Sequence, residues 1–214
     1  MDTAPRKLPR GRHGLSREEV AASQRERLLR AMAEVVAEHG YAKTSVAQVL
    51  RRAGVSRESF YEQFANKEDC FLAAYDEAAT VLLGIMAAGL AAPEPEADPA
   101  AAELPVLEQL SRVLRSYLAA LAAEPAIART FFVEVYAAGD AALRRRVDVQ
   151  ARFVDAMATL VDARDDTDRF AVEALVAAIS ALVTQRVCAG RFDELEALHG
   201  PVVGLVARVL GEEA

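Results

Sequence analysis

Tryptophan is absent from this 214-residue chain, cysteine occurs twice and histidine three times. Cys70 and Cys188 lie too far apart in sequence to suggest a disulfide framework or a metal-ligand spacing. Both fall in apolar helical stretches and read as buried free thiols. His13, His39 and His199 are scattered, and neither a nucleophile motif nor a Gly-rich phosphate loop accompanies them. No metal, no cofactor and no catalytic site are therefore expected. The N-terminus has no apolar signal core, and no uncharged apolar run reaches membrane-spanning length, so the expected location is cytoplasmic, with no membrane partner. Strand-favouring runs are scarce and alanine is abundant, which points to an all-α protein. With 53% hydrophobic and 27% charged residues, the chain can build a core and is not a disordered polymer.

The net charge of −7 argues against a general nucleic-acid coat, but the charge is unevenly distributed. Residues 1–72 carry 13 Lys+Arg against 10 Asp+Glu, whereas the remainder carries 12 against 22. Arg6, Lys7, Arg10, Arg12 and Arg17 face only Asp2 in the first 17 residues. A basic end on an acidic body suits a protein that meets phosphate at one end, although such a tail can also serve solubility alone.

The most informative stretch is Ser45 to Lys67. Val46, Val49, Leu50 and Ala53 share one face of a short helix, and Val55, Phe60 and Phe64 supply the matching face beyond Gly54. Glycine accepts the positive φ that a tight reversal needs, and Ser56 can cap the second helix. This layout predicts a helix-turn-helix whose second helix can enter a DNA major groove.

Around it, a flexible arm is expected over residues 1–15, where Pro5, Pro9, Gly11 and Gly14 interrupt any helical pattern. Ser16 with Glu19 marks the start of a first helix, which His39-Gly40 ends. His39 is best placed as a last-turn residue favoured by the helix dipole. Ser45 with Gln48 forms a second capping-box pattern. A long helix is expected over about 67–90, then a loop over 91–103 carrying Pro93, Pro95 and Pro99. Further helices are expected near 104–123, around Ile127 to Tyr136, over 141–161, over 168–189 and over 193–210. The segment 168–189 is apolar on nearly all sides and should be buried, in a core or between subunits. Gly200-Pro201 should kink the last helix or mark a fresh start.

The block from about Gln24 to Gly84 resembles the DNA-binding region of the TetR family of bacterial transcriptional regulators. The likeness rests on His39-Gly40-Tyr41, Thr44-Ser45-Val46, Ala53-Gly54-Val55-Ser56 and Phe60-Tyr61-x-x-Phe64-x-Asn66-Lys67-Glu68, in that order. It implies an N-terminal three-helix DNA-binding domain with a helix-turn-helix at 16–66. A larger helical ligand-binding and dimerisation domain would follow at 67–214, giving about nine helices in all. It further implies a homodimer formed through the last two helices, 168–189 and 193–210. Such a dimer would repress transcription from a palindromic double-stranded DNA operator and release it when an unknown small-molecule effector binds.

The expected DNA-binding residues are Thr44, Ser45, Ser56, Arg57, Ser59, Tyr61 and Lys67. Tyr61 and Lys67 match phosphate-contacting positions of the family, and Thr44 and Ser45 match the start of its second helix, where hydroxyls and N–H groups reach phosphate. Arg57 can read a guanine edge bidentately or bind phosphate. Glu58 and Glu62 depart from the family pattern, and an acid near phosphate weakens binding unless it accepts from cytosine or pairs with Arg57. Candidate effector-pocket residues are Leu82, Met86, Tyr117, Phe131, Phe132, Tyr136, Phe153 and Met157, a set that could equally be core. Their apolar character points to a hydrophobic or aromatic effector. Glu134 and the run Arg144-Arg145-Arg146 read as solvated surface.

A helical enzyme and a helical protein-interaction module remain as alternatives, the second favoured by Glu58 and Glu62. Because those acids oppose phosphate, the basic arm should carry part of the DNA affinity. Deleting residues 1–15 is expected to weaken operator binding and flatten its salt dependence in a titration against ionic strength. An unchanged salt slope in the truncated protein would count against this.

Overall fold

A computed structural model describes residues 16–91 and 105–210. The arm expected at 1–15 and all but the first residue of the loop expected at 91–103 lie outside the described residues. In chain order the helices are α1 (Arg17–His39), α2 (Val46–Ala53), α3 (Arg57–Gln63), α4 (Lys67–Ala91), α5 (Val106–Ala123), α6 (Pro125–Phe132), α7 (Asp140–Leu160), α8 (Asp166–Cys188) and α9 (His199–Leu210). Short 3-10 turns occupy Tyr41–Lys43, Glu134–Ala137, Phe192–Glu194 and Glu196–Leu198. Among the described residues there is no strand, so the fold is all-α as expected.

The helix ends follow from local chemistry. The Ser16 side chain accepts from the Glu19 N–H while Glu19 reaches back to the Ser16 N–H, and Ser45 with Gln48 repeats this reciprocal cap. Gly54 ends α2 in the left-handed conformation, φ 64°, which a residue with a Cβ adopts only with strain. Ser56 accepts from the Ser59 N–H to start α3. Asn66 accepts from the Asp69 N–H and Asp69 accepts from the Ala65 N–H, fixing the start of α4.

Two expected helices are broken. The segment from Ile127 to Tyr136 is helical only to Phe132, then breaks at Val133 (φ −120°, ψ −57°) into a 3-10 turn. The segment 193–210 begins as two 3-10 turns, and α9 starts afresh at His199 with Pro201 in its first turn, where a missing N–H costs nothing.

One apolar core runs through both halves of the chain. Leu28, Met32 and Val36 of α1 meet Val49 of α2, Phe60 of α3 and Phe64. The same cluster continues through Phe71 and Tyr75 of α4 to Leu118, Leu121, Phe131 and Phe132. Tyr75 stacks on Phe131 with ring centroids 4.3 Å apart and planes within 2°. Gly89 lets α4 approach α5 closely, since a Cβ there would lie 2.0 Å from the Ser116 hydroxyl oxygen.

The two thiols differ, contrary to the expectation that both are buried. Cys70 is buried, and burial pushes its thiol up to about 12; Cys188, at the end of α8, is exposed. Helix α8 is not covered by the described residues either. Only Val172, Val183 and Val187 are buried on it, and Phe170 is 69% exposed. By length and composition alone, α4 and α8 are apolar enough to cross a membrane. α4 instead supplies a core face through Phe71, Tyr75, Ala79 and Leu82.

The seven-residue α3 is too short to persist alone and depends on its buried phenyl ring. Phe60→Ala is expected to lower unfolding free energy by about 3–5 kcal/mol in denaturant titrations. A change under about 1 kcal/mol would show that α3 is held by something other than Phe60.

Candidate nucleic-acid interface and effector cavity

Helix α3 presents two faces. Phe60 is fully buried and Phe64, its C-cap, nearly so, while Arg57, Glu58, Tyr61 and Glu62 are exposed. The Arg57 guanidinium lies 5.5 Å from the Tyr61 ring centroid and donates to its hydroxyl at 3.5 Å. Stacking of this kind pre-orders a flexible arginine. Neither Glu58 nor Glu62 forms an ion pair with Arg57 among the described residues, so the suggested relief of their charge by Arg57 is not present in the free protein. Ser56 and Ser59 are linked to each other, the Ser59 N–H donating to the Ser56 hydroxyl at 3.0 Å. Arg25 lies over the Phe64 ring at 4.8 Å, and Arg27 donates to the Ala53 carbonyl at 3.1 Å, bracing the turn from behind.

The start of α2 differs from the expected hydroxyl pair. Ser45 is exposed and capped by Gln48. Thr44 is buried, and its hydroxyl donates to the Gly40 carbonyl at 2.9 Å. A hydroxyl turned inward this way is not offered to phosphate, so Thr44 acts in this structure as a brace. Lys67 is also tied inward: its ammonium donates to the Tyr41 and Thr44 carbonyls at 3.0 and 3.1 Å and sits 4.0 Å from the Tyr41 ring centroid. Burial lowers its pKa from the usual lysine value. Lys67 therefore fixes the loop before α2 to the start of α4, whatever else it reaches.

That loop is also gripped from the other half of the chain. Glu134, expected to face water, is 7% exposed and accepts from the Tyr41 N–H at 2.9 Å. Its second oxygen lies 3.4 Å from the Arg129 guanidinium. The Thr130 hydroxyl donates to the Ala33 carbonyl of α1 at 3.1 Å. An acceptor for an otherwise orphaned N–H and a countercharge beside it account for a carboxylate at this depth.

Residues 131 and 132, between those two grips, line a cavity. Its empty space is about 880 Å³ including its mouth, bounded by α4 through α9. Met86, Tyr117, Phe131, Phe132, Phe153 and Met157 of the expected set line it. Leu82 and Tyr136 do not: Leu82 is packed in the core, and Tyr136 is 52% exposed. Sequence reasoning missed Tyr75, Leu110, Val149 and Ile179, whose apolar spacing alone does not tell cavity from core. It also missed Arg146, Gln150 and Ser180, the polar part of the lining. The arginine run is correspondingly not one solvated face. Arg145 pairs with Asp76 at 2.6 Å, and Arg146 donates to Gln150 and Ser180. Burial raises the Tyr75 and Tyr117 phenols well above the usual tyrosine range, and the Arg146 charge acts in the opposite direction on both.

Residues 28–74 match the family described as bacterial regulatory proteins, tetR family. No curated protein matches the chain. Among solved structures, the fatty acid degradation regulator FadR from Bacillus halodurans is similar over 85% of this chain and 93% of its own, with a TM-score of 0.71 and 21% identity. FadR from Bacillus subtilis, solved in complex with stearoyl-CoA, is similar over 84% and 96%, with a TM-score of 0.71 and 19% identity. A TetR-like transcriptional regulator from Rhodococcus sp. RHA1 is similar over 93% and 100%, with a TM-score of 0.64 and 20% identity. At these identities the likeness establishes the shared fold.

Arg57→Ala is expected to weaken binding to an operator by about 1–3 kcal/mol. Loss confined to particular base pairs assigns Arg57 to a base edge, whereas a uniform loss with a salt slope smaller by about one assigns it to phosphate. Unaltered affinity would remove it from the interface.

Proposed function

We propose that this tetR-family transcriptional regulator is a homodimeric repressor that leaves a palindromic DNA operator when a small hydrophobic molecule enters the cavity. The observation that carries the proposal is the segment 130–134. Phe131 and Phe132 form cavity wall, while Thr130 and Glu134 hold the DNA-binding half at Ala33 and Tyr41. A molecule that moves this wall must move the two grips, and with them the base on which α3 is mounted. The solved complex of a similarly folded regulator with stearoyl-CoA favours a ligand with a long apolar part.

Dimerisation through α8 and α9 is favoured by the apolar face that α8 leaves uncovered and by exposed Phe170 and Leu205. Two copies would bring two α3 helices to successive major grooves of one duplex. On the DNA side, Arg57, Tyr61, Ser45 and the N–H groups at the start of α4 are the proposed contacts, with Ser56 and Ser59 shaping the start of α3. Lys67 would act mainly by holding the loop, leaving its charge close to the phosphates without a direct bond.

A mobility-shift assay against the DNA upstream of the chain's own gene tests the reading. A discrete complex that competitor DNA does not remove is expected, and its absence would favour the interaction-module or enzyme alternative. Within that assay Glu134→Ala probes the coupling. Loss of a hydrogen bond to a charged acceptor is expected to lower stability by about 1.5–3 kcal/mol. Ligand binding measured by calorimetry should stay within a few-fold, while ligand-driven DNA release is lost. Normal release by the variant would place the coupling elsewhere.

A further inference from the structure

Among the described residues, the cavity wall is apolar except at one place. There Arg146 of α7 is half-buried, and its guanidinium donates to Gln150 Oε1 at 3.2 Å and to Ser180 Oγ at 3.3 Å. The guanidinium also lies 5.2 Å from the Tyr136 ring centroid. Every one of these partners is neutral. No carboxylate lies within ion-pair distance of Arg146 among the described residues, although its neighbour Arg145 pairs with Asp76. A cation at the edge of an apolar cavity, held by neutral acceptors alone, retains unmet attraction for an anion. Gln150 and Ser180 occupy one donor each and leave the rest of the five-donor fork available. The Tyr75 and Tyr117 hydroxyls, on rings that line the same cavity, form no hydrogen bond to a described residue. They can add neutral donors beside the same anion.

We infer that the effector is an amphiphile, an apolar body ending in an anionic head group, carboxylate or phosphate, that is bound by the Arg146 guanidinium. The inference rests on the proposed use of this cavity as the effector site and names the chemistry that the site selects. The aromatic and aliphatic wall takes the body, and the polar place at α7 and α8 fixes its direction. A neutral molecule of the same shape would leave Arg146 as it stands in the free protein and gain nothing there. An amine would meet repulsion.

Calorimetric titration of the full-length protein with dodecanoate, 1-dodecanol and dodecanoyl-CoA tests this. All three share one apolar chain and differ in the head. The native protein is expected to bind dodecanoate or the CoA thioester at least about tenfold more tightly than the alcohol. Arg146→Gln should abolish that preference while leaving dodecanol affinity unchanged, and Arg146→Lys should restore part of it. Thermal melting of both variants identifies any that fail to fold, and Arg146→Lys then serves alone, with a reduced preference as the supporting result. An Arg146-dependent preference for the thioester over the free acid assigns the anion to phosphate; the reverse assigns it to carboxylate. Equal binding of acid, thioester and alcohol by the native protein, or a preference that survives in Arg146→Gln, overturns the assignment but leaves a hydrophobic-effector site standing. Failure of every chain to bind overturns both.

Discussion

Beside the shared apolar core, one buried carboxylate ties the cavity half of this protein to the loop after α1. Glu134 closes over the backbone N–H of Tyr41, immediately after α1 ends, and Arg129 keeps its charge compensated. On the other side of Tyr41, Lys67 donates to that residue's carbonyl and to that of Thr44. The short loop between α1 and α2 is thus held by an anion from one direction and a cation from the other. Glu134 sits where water is largely excluded, so its bond is stronger than a surface contact and more costly to leave unpaired, whereas Lys67 is half-buried. The position of α2, and hence of α3, is set relative to the cavity by this pair of charges.

The second helix of the helix-turn-helix, α3, has little stability of its own. Seven residues make fewer than two turns, and the outward side carries two acids for one arginine. Its geometry comes from behind: the Phe60 ring in the core, Arg25 against Phe64, and Arg27 on the carbonyl at the turn. What it shows to solvent, by contrast, is arranged for selectivity more than for attraction. Arg57 and Tyr61 are stacked in the free protein, while Glu58 and Glu62 would penalise a duplex that offered them only phosphate. On the proposed mode of DNA binding, these acids would lower general affinity and place more of the binding on specific contacts and on charges elsewhere.

Local chemistry was legible in the sequence and long-range chemistry was not. Both capping boxes, the left-handed Gly54 and the Ser56 cap are settled within a few residues of chain, and each stands where the pattern puts it. The break at Val133 was not visible, because the apolar spacing continues through it and the change to a 3-10 turn serves a tertiary purpose: it turns Glu134 toward Tyr41. Glu134 and Tyr41 are 93 residues apart, so no local signal marks that glutamate as buried. Arg146 was hidden in the same way, within a run of three arginines whose partners lie on different helices. Aromatic spacing found much of the cavity wall but could not distinguish Leu82, which packs, from Phe153, which lines the space. Cys188 misled because its helix is apolar without being covered by the described residues.

The proposed regulation can be checked for magnitude. Allosteric coupling between two sites typically amounts to about 1–3 kcal/mol, enough to change occupancy up to a hundredfold or so. One hydrogen bond to a charged acceptor is worth about 1.5–3 kcal/mol. Weakening the single Glu134–Tyr41 bond therefore suffices, and no large rearrangement of the core is required. The stacked Tyr75 and Phe131 rings make such weakening the compliant response, since a body entering the cavity meets a rigid pair on that side. Phe131 is three residues from Glu134 and one from Thr130, so displacement of the ring is carried by backbone directly into both grips. A close-packed wall transmits a small shift instead of absorbing it. The same short segment thus serves as cavity lining and as fastening, so the proposed coupling of effector to operator requires no separate hinge.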